Sequence, residues 1–509
     1  MKAWQRTATL IAQGAKFKAS AQSDDFFKAQ DVIELPMRQA MQMQPTPDFI
    51  CALPLELSRQ TRFDEARKDF KHLPAARHPM TETKRPASKN PGAMLYRLLG
   101  PGLVTGAADD DPSGIATYSQ AGAQFGYGLL WTIFLTIPFM IAIQLVSALI
   151  GRVTGKGLAA NVTELMPRWL VLALVFLLVA ANTFNIAADI AAMAEALSLV
   201  IGGLNHEHAL IFAATSTLLQ VFVPYRRYAP VLKFLTLSLF AYVATAFTVN
   251  IPWGTALLAT IWPKVTINAD YFMMVVAVLG TTISPYLFFW QASQEVEEMH
   301  RGKERRPLRE LTRGGALELD RIKIDTTVGM FFSNAIAFFI ILTTASVLNA
   351  NGVTSINSAS QAAEALRPLA GDFTFLLFAL GIIGTGLLAV PVLAGSAAYG
   401  VAEAFGWQAT LEAKALDAVG FYSIIAAATV IGFALGFTGI DAIHMLVWSA
   451  VLNGIVAVPI MAMMMVTVAN PKVMGRFKAR SWLVALGWVG TALMAIAVAA
   501  LVGSPLLAR

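Results

Sequence analysis

One cysteine, Cys51, stands in the whole chain of 509 residues, which excludes an intramolecular disulfide framework and a multi-cysteine metal cluster. Charge is scarce as well. Asp, Glu, Lys and Arg make up 14% of the sequence, against roughly 25% in a soluble domain. There is no His-Glu-x-x-His, no Gly-rich phosphate loop ahead of Lys-Ser/Thr and no evident nucleophile and base pair, so enzyme chemistry is not expected. The basic residues at the extreme N-terminus are not followed by an apolar stretch with a small-residue cleavage site, so no secretory signal is read there.

Apolar sequence is abundant: 56% of residues are hydrophobic and the mean hydropathy is +0.60. Eleven apolar segments recur, at about 98–122, 126–150, 169–200, 208–224, 229–250, 268–293, 324–349, 372–402, 419–438, 441–469 and 482–503. Helices of about 20 residues cross a hydrocarbon core of about 30 Å. The expected fold is an all-α integral membrane protein with about eleven transmembrane helices. Residues 1–94 carry no such segment and hold Pro-rich patches at Gln44–Pro47 and Lys84–Pro86, so they read as a polar cytosolic extension. Residues 95–470 hold helices one to ten, and 471–509 add a loop and the eleventh.

A formal net charge of +6 suits a nucleic-acid partner in isolation, but the basic residues sit in short stretches between apolar runs, so none is expected. With a cytosolic N-terminus, even-numbered spans return to the cytosol. The basic residues then fall on that side, as the positive-inside rule requires: Arg152, Lys156 and Arg168; Arg226, Arg227 and Lys233; Arg301, Lys303, Arg305, Arg306, Arg309 and Arg313; Lys472, Arg476, Lys478 and Arg480. Outer loops hold little beyond Lys264 and Arg367. The expected partners are therefore the lipid bilayer of the cell inner (plasma) membrane and a small cation, with a monomer as the expected state.

The first span contains Asp109-Asp110-Asp111-Pro112-Ser113-Gly114. A charged side chain at a helix centre costs roughly 2.5–3.5 kcal/mol on insertion scales, so such residues tend to mark an ion or its pathway. Pro112 removes a backbone donor and Ser113-Gly114 is permissive, so the helix should unwind and free carbonyls beside the acids. Carboxylate and carbonyl oxygens together suit a hard cation. The sixth span is punctuated in the same way at Gly280-Thr281-Thr282-Ile283-Ser284-Pro285-Tyr286. Two interrupted spans at corresponding places in inverted five-helix repeats point to a midplane substrate site. The alternative is that the acids cap a second helical segment in headgroup water. The residues alone take the reading to a transporter of a small cation.

The stretch Leu98-Leu99-Gly100-Pro101-Gly102 leading to Asp111-Pro112, together with Gly280–Pro285, resembles the NRAMP family of divalent metal transporters over about residues 95–470. The resemblance implies a LeuT-like 5+5 inverted repeat with interrupted helices one and six, alternating access, and typically metal-proton symport. It also implies metal ligands: the family's Asp-Pro-Gly-Asn and Ala-x-x-Met-Pro-His patterns fall on Asp111, Pro112 and Gly114, and on Thr281, Ser284, Pro285 and Tyr286. Gly114 replaces the asparagine, Thr281 the alanine, Ser284 the methionine and Tyr286 the histidine. Thioether sulfur favours soft and transition ions, whereas oxygen ligands suit hard ones. A roomier site also fits Mg2+, which keeps several of its waters. The pattern looks like the NRAMP-related magnesium transporter branch, with Mg2+ or Mn2+ as the transported ion and no resident cofactor. The family's proton route is depleted, since Asp189 keeps its aspartate but Ala192 replaces the glutamate, and Phe421 to Phe437 contains no arginine. Weak or absent proton coupling is the expectation, with an ordinary proton-coupled Mn2+/Fe2+ importer as the alternative.

Asp110, Tyr286, Asp189, Asn185 and Asn453 are the candidates for the substrate pathway. Asn182, Asn185 and Asp189 share one helical face by their spacing, and the alternative for them is interhelical hydrogen bonding. Glu195 reads as a structural or interfacial acid, Met461 and Met463–Met465 as lipid-facing or packing residues, and His206 and His208 as an outer-loop pair with a remote metal-capture reading.

Overall fold

A computed structural model describes residues 100–224, 227, 237–301, 306–311 and 315–507. The expected N-terminal extension, Cys51, Arg226, Lys233, Lys303, Arg305 and Arg313 lie outside the described residues. Among those described there is no strand.

The first span is two helices, α1 (Pro101–Asp109) and α2 (Pro112–Phe125). Next come α3 (Leu130–Thr154), the short α4 (Leu158–Thr163), α5 (Arg168–Ile201) and α6 (Asn205–Phe222). The fifth segment appears as α7 (Phe240–Thr248), followed across Pro252 by α8 (Trp253–Ile261), with a bend of 120° between residues 237–248 and 253–261. The sequence reading missed α8, a second apolar helix beyond the proline that turns the chain. The sixth span is again broken, into α9 (Ala269–Thr282) and α10 (Pro285–Arg301). The chain continues through α11 (Gly315–Val347), α12 (Ala359–Ala363), α13 (Thr374–Phe405), α14 (Val419–Leu435), α15 (Ala442–Ala469) and α16 (Ser481–Leu507).

Among the described residues, seven helical stretches are long and apolar enough to cross a membrane, eight if the bent pair is one span. The difference from eleven lies in the counting of breaks and short helices: Pro112–Thr154 joins two segments through a 3-10 turn, α14 has only 17 residues, and α6, with 18, is not among the seven. Each of the eleven apolar segments nevertheless overlaps a helix among the described residues.

The two broken spans run side by side in opposite senses. α1 packs against α10 and α2 against α9, so the breaks come level, while α11 lies along both α1 and α2. Close approach depends on small residues. A Cβ on Gly106 would lie 2.4 Å from the Gly329 carbonyl oxygen, and one on Gly280 would lie 2.1 Å from that of Ala450. Without a hydrophobic drive between helices in lipid, such backbone contact is what van der Waals packing requires.

The described parts of three basic stretches meet one another. Arg152 donates to the Arg306 carbonyl at 3.0 Å, Gly155 abuts Pro307, and Gly315 abuts Phe477 in the loop that holds Lys472–Arg480.

Candidate functional site

Each proline that breaks a span leaves the carbonyl four residues earlier without its helical partner. Pro112 orphans Ala108, and the Tyr286 hydroxyl from the other broken span donates to that oxygen at 3.0 Å. Pro285 orphans Thr281, and the Ser284 hydroxyl lies 2.8 Å from it and 2.8 Å from the Gly280 carbonyl. Both breaks are thus finished by side chains of the sixth span, and Tyr286 fastens the two together.

Asp111 stands at this junction. Its backbone is extended and its carboxylate caps α2, accepting from the Gly114 N–H and the Ser113 hydroxyl, each at 2.7 Å, through Oδ1. Oδ2 accepts from Asn185 Nδ2 at 3.1 Å and faces the Tyr286 hydroxyl at 3.3 Å. Asn185 is held in turn by the Ser449 hydroxyl of α15 at 2.9 Å. Gly114 sits against the sixth span, where an added Cβ would lie 3.1 Å from Thr281 Oγ1. Asp111, Gly114, Thr281, Ser284, Tyr286 and Asn185 are therefore brought together, all at most 1% exposed where exposure is given.

Asp189 lies on the same face of α5, one turn beyond Asn185. Its fully buried carboxylate faces the Asp111 carboxylate and the Ser113 N–H without completing a hydrogen bond. Asn453 is also fully buried, and neither its amide oxygen nor its nitrogen has a hydrogen-bond partner. It is four residues from Ser449 on α15 and shares that residue's face. An unpaired buried amide is costly unless water or a ligand completes it.

The three consecutive aspartates diverge. Asp109 and Asp110 turn to α11, where the Ser333 hydroxyl contacts Asp109 Oδ2 at 2.5 Å and Asp110 Oδ1 at 3.2 Å. Among the described residues, no three His, Cys, Asp or Glu side chains converge as a metal cage; of the three consecutive aspartates, Asp111 is the one bonded to Asn185 and Tyr286. Asn182 donates to the Leu393 carbonyl at 2.8 Å, a helix-packing bond. Glu195 accepts from the Ala359 N–H at 2.8 Å and lines, with Asn205, His206 and Asp441, a separate cavity of about 420 Å³ beside α5, α6 and α15. Met461 and Met463–Met465 are buried and pack between helices.

Beyond the spacing of four between Ser449 and Asn453, nothing in the sequence marks Ser449 or Ser333 as part of the site, and Ser113, read as part of the helix break, is in addition a donor to Asp111. A lone serine in an apolar helix is otherwise indistinguishable from one bonded to its own backbone.

A family profile described as "Natural resistance-associated macrophage protein-like" matches residues 102–504. A Klebsiella pneumoniae protein named divalent metal cation transporter MntH is 26% identical over 430 residues, covering 82% of this chain and 96% of that one. A Yersinia enterocolitica protein of the same name is 28% identical over 311 residues, covering 58% and 70%. Among solved structures, a manganese transporter of Eremococcus coleocola superposes with a TM-score of 0.64 at 16% identity, over 82% of this chain and 88% of that one. At that identity the likeness establishes the fold.

Proposed function

The chain belongs to the Nramp family, and from that premise we propose that it is a divalent metal cation transporter working by alternating access, which favours hard ions, Mg2+ and also Mn2+, with little or no proton coupling. The family is one of transporters rather than enzymes, and the Klebsiella and Yersinia relatives carry that activity in their names. The observation that carries the proposal is the position of Asp111. Its carboxylate lies where the two broken spans meet, facing the buried Asp189 carboxylate, and its partner Asn185 is held by Ser449, one turn from the buried and unpartnered Asn453.

The preference for hard ions follows from the surroundings. Ser284 offers a hydroxyl oxygen where a thioether would offer sulfur, and Gly114 leaves room for an ion that keeps part of its water shell. Asn185, Tyr286, Thr281 and Asn453 would meet that shell, and Asp110 would add negative charge one residue away. The lack of coupling rests on Tyr286, Ala192 and α14, whose residues Val419–Leu435 include no arginine. Membrane potential alone suffices to drive entry, because a divalent ion gains about 4.6 kcal/mol from 100 mV. The chain is a multi-pass integral membrane protein, and we place it in the inner (plasma) membrane with its basic end and N-terminus in the cytosol.

The proposal is tested by ion-by-ion uptake into proteoliposomes loaded with a pH-sensing dye. Mg2+ and Mn2+ should enter without acidification, and cadmium should compete poorly. Acidification that tracks metal entry would instead favour proton-coupled import of Mn2+ or Fe2+, a reading that Asp189 supports as the retained half of the family's proton route.

A further inference from the structure

An ion held at Asp111, with Asp189 facing it, leaves Asp109 and Asp110 unbalanced. Asp109 ends α1 and Asp110 is its C-cap, and both are at most 2% exposed. Among the described residues neither forms an ion pair with a lysine, arginine or histidine. Buried charges are ordinarily paired or coordinate a metal.

The hydrogen bonding around the pair is incomplete as well. Ser333 of α11 has one hydroxyl proton for two carboxylates, Asp109 Oδ2 at 2.5 Å and Asp110 Oδ1 at 3.2 Å, so with both acids ionised one of these contacts brings lone pairs together. Asp109 Oδ1 has no partner at all. On α2, the Tyr118 hydroxyl is fully buried, faces Asp109 and Asp110, and completes no hydrogen bond. The last turn of α1 also ends here, where carbonyls lack helical partners and the helix dipole favours positive charge.

We propose that Asp109, Asp110, Ser333 and Tyr118 form a second divalent cation site, beside the one at Asp111 and on the α11 side of the break. Two carboxylates balance one divalent ion, and hydroxyl and carbonyl oxygens complete a shell that the acids alone do not supply. The two sites differ in room. Gly114 opens the first to an ion that keeps part of its water, whereas Ser333 touches both carboxylates of the second and leaves no space for a retained water shell between them. Mg2+ gives up its water reluctantly, while Mn2+ accepts carboxylate and carbonyl oxygens. The second site therefore takes Mn2+ and discriminates against Mg2+.

The inference rests on the reading of Asp111 as an ion ligand, and its test counts bound ions without measuring flux. The purified full-length protein is equilibrated with Mn2+, and bound metal per chain is measured by dialysis. Two Mn2+ per chain are expected, close enough for their electron-spin resonance lines to broaden one another. Excess Mg2+ should displace one of them and restore the narrower lines of a single ion.

Asp110→Asn and Ser333→Ala should each weaken the Mg2+-resistant Mn2+ by about ten-fold or more, the lower range for loss of a group that supports a metal. Ser333→Ala carries the test if Asp110→Asn does not fold. The absence of any Mg2+-resistant Mn2+ in the unaltered protein, or a resistant ion that the variants hold at unaltered affinity, would overturn the second site. A resistant ion found without a Mg2+-displaceable one would count against the Asp111 reading alone.

Discussion

The Tyr286 hydroxyl lies 3.0 Å from the Ala108 carbonyl and 3.3 Å from Asp111 Oδ2, so one side chain of the sixth span reaches both the broken backbone and the acid of the first. Anything bound at Asp111 sits against both halves of the molecule. Conformational change that separates the breaks must disturb this contact.

Tyr286→Phe keeps the ring and deletes the hydroxyl. A hydrogen bond to a charged group contributes about 1.5–3 kcal/mol, but here the bond is long and shared, so the low end applies. The apparent KM for Mn2+ should rise by roughly ten-fold, about 1.4 kcal/mol, with protein yield unchanged. Initial-rate uptake checks this, and an unaltered KM would remove Tyr286 from the site.

Ser284→Met should favour soft ions. The substitution places sulfur at the sixth-span break and withdraws the hydroxyl from the Gly280 and Thr281 carbonyls. Cadmium affinity, read by calorimetry, should increase by about ten-fold, or about 1.4 kcal/mol. No gain would show that the selectivity does not reside at position 284.

Much of this site is legible in the sequence because its chemistry conflicts with its setting. Asp111 before Pro112 and Ser284 before Pro285 break two helices and put polar atoms in apolar runs, and each break alone implies an unpaired carbonyl. The pairing of the repairs is not legible: nothing in the spacing says that Tyr286 completes Ala108, or that the Asp325 carboxylate of α11 accepts from the N–H groups of Gly100, Gly102 and Leu103 at the start of α1. The divergence of Asp109 and Asp110 toward Ser333 is equally hidden, since three adjacent acids look alike until the backbone at Asp110 and Asp111 sets their directions. The α7–α8 bend was lost because an apolar run is the same whether it crosses or turns back, and only Pro252 hinted otherwise.

Gly106→Val should destabilise the protein. Added atoms would meet the Gly329 backbone, which cannot give way as a flexible side chain could. Overpacking typically costs about 1–3 kcal/mol, so the melting temperature in detergent should fall by several degrees, while Gly503→Val, with nothing near its Cβ, should leave it in place.

Asn185→Ala removes one of the donors to Asp111 Oδ2 and leaves the Ser449 hydroxyl only the Leu446 carbonyl, 2.7 Å away on its own helix. Uptake at low ion concentration should drop about five-fold, close to 1 kcal/mol, and recover at saturating ion. A fall in maximal rate alone would assign Asn185 to packing.

The account depends most on Asp111 as the charge that draws a divalent ion to the junction of the breaks. Mg2+ uptake into proteoliposomes under a negative-inside potential, compared between the unaltered protein and Asp111→Ala at matched incorporation, tests it directly. Uptake should be abolished in the variant; entry near the unaltered rate would contradict the assignment.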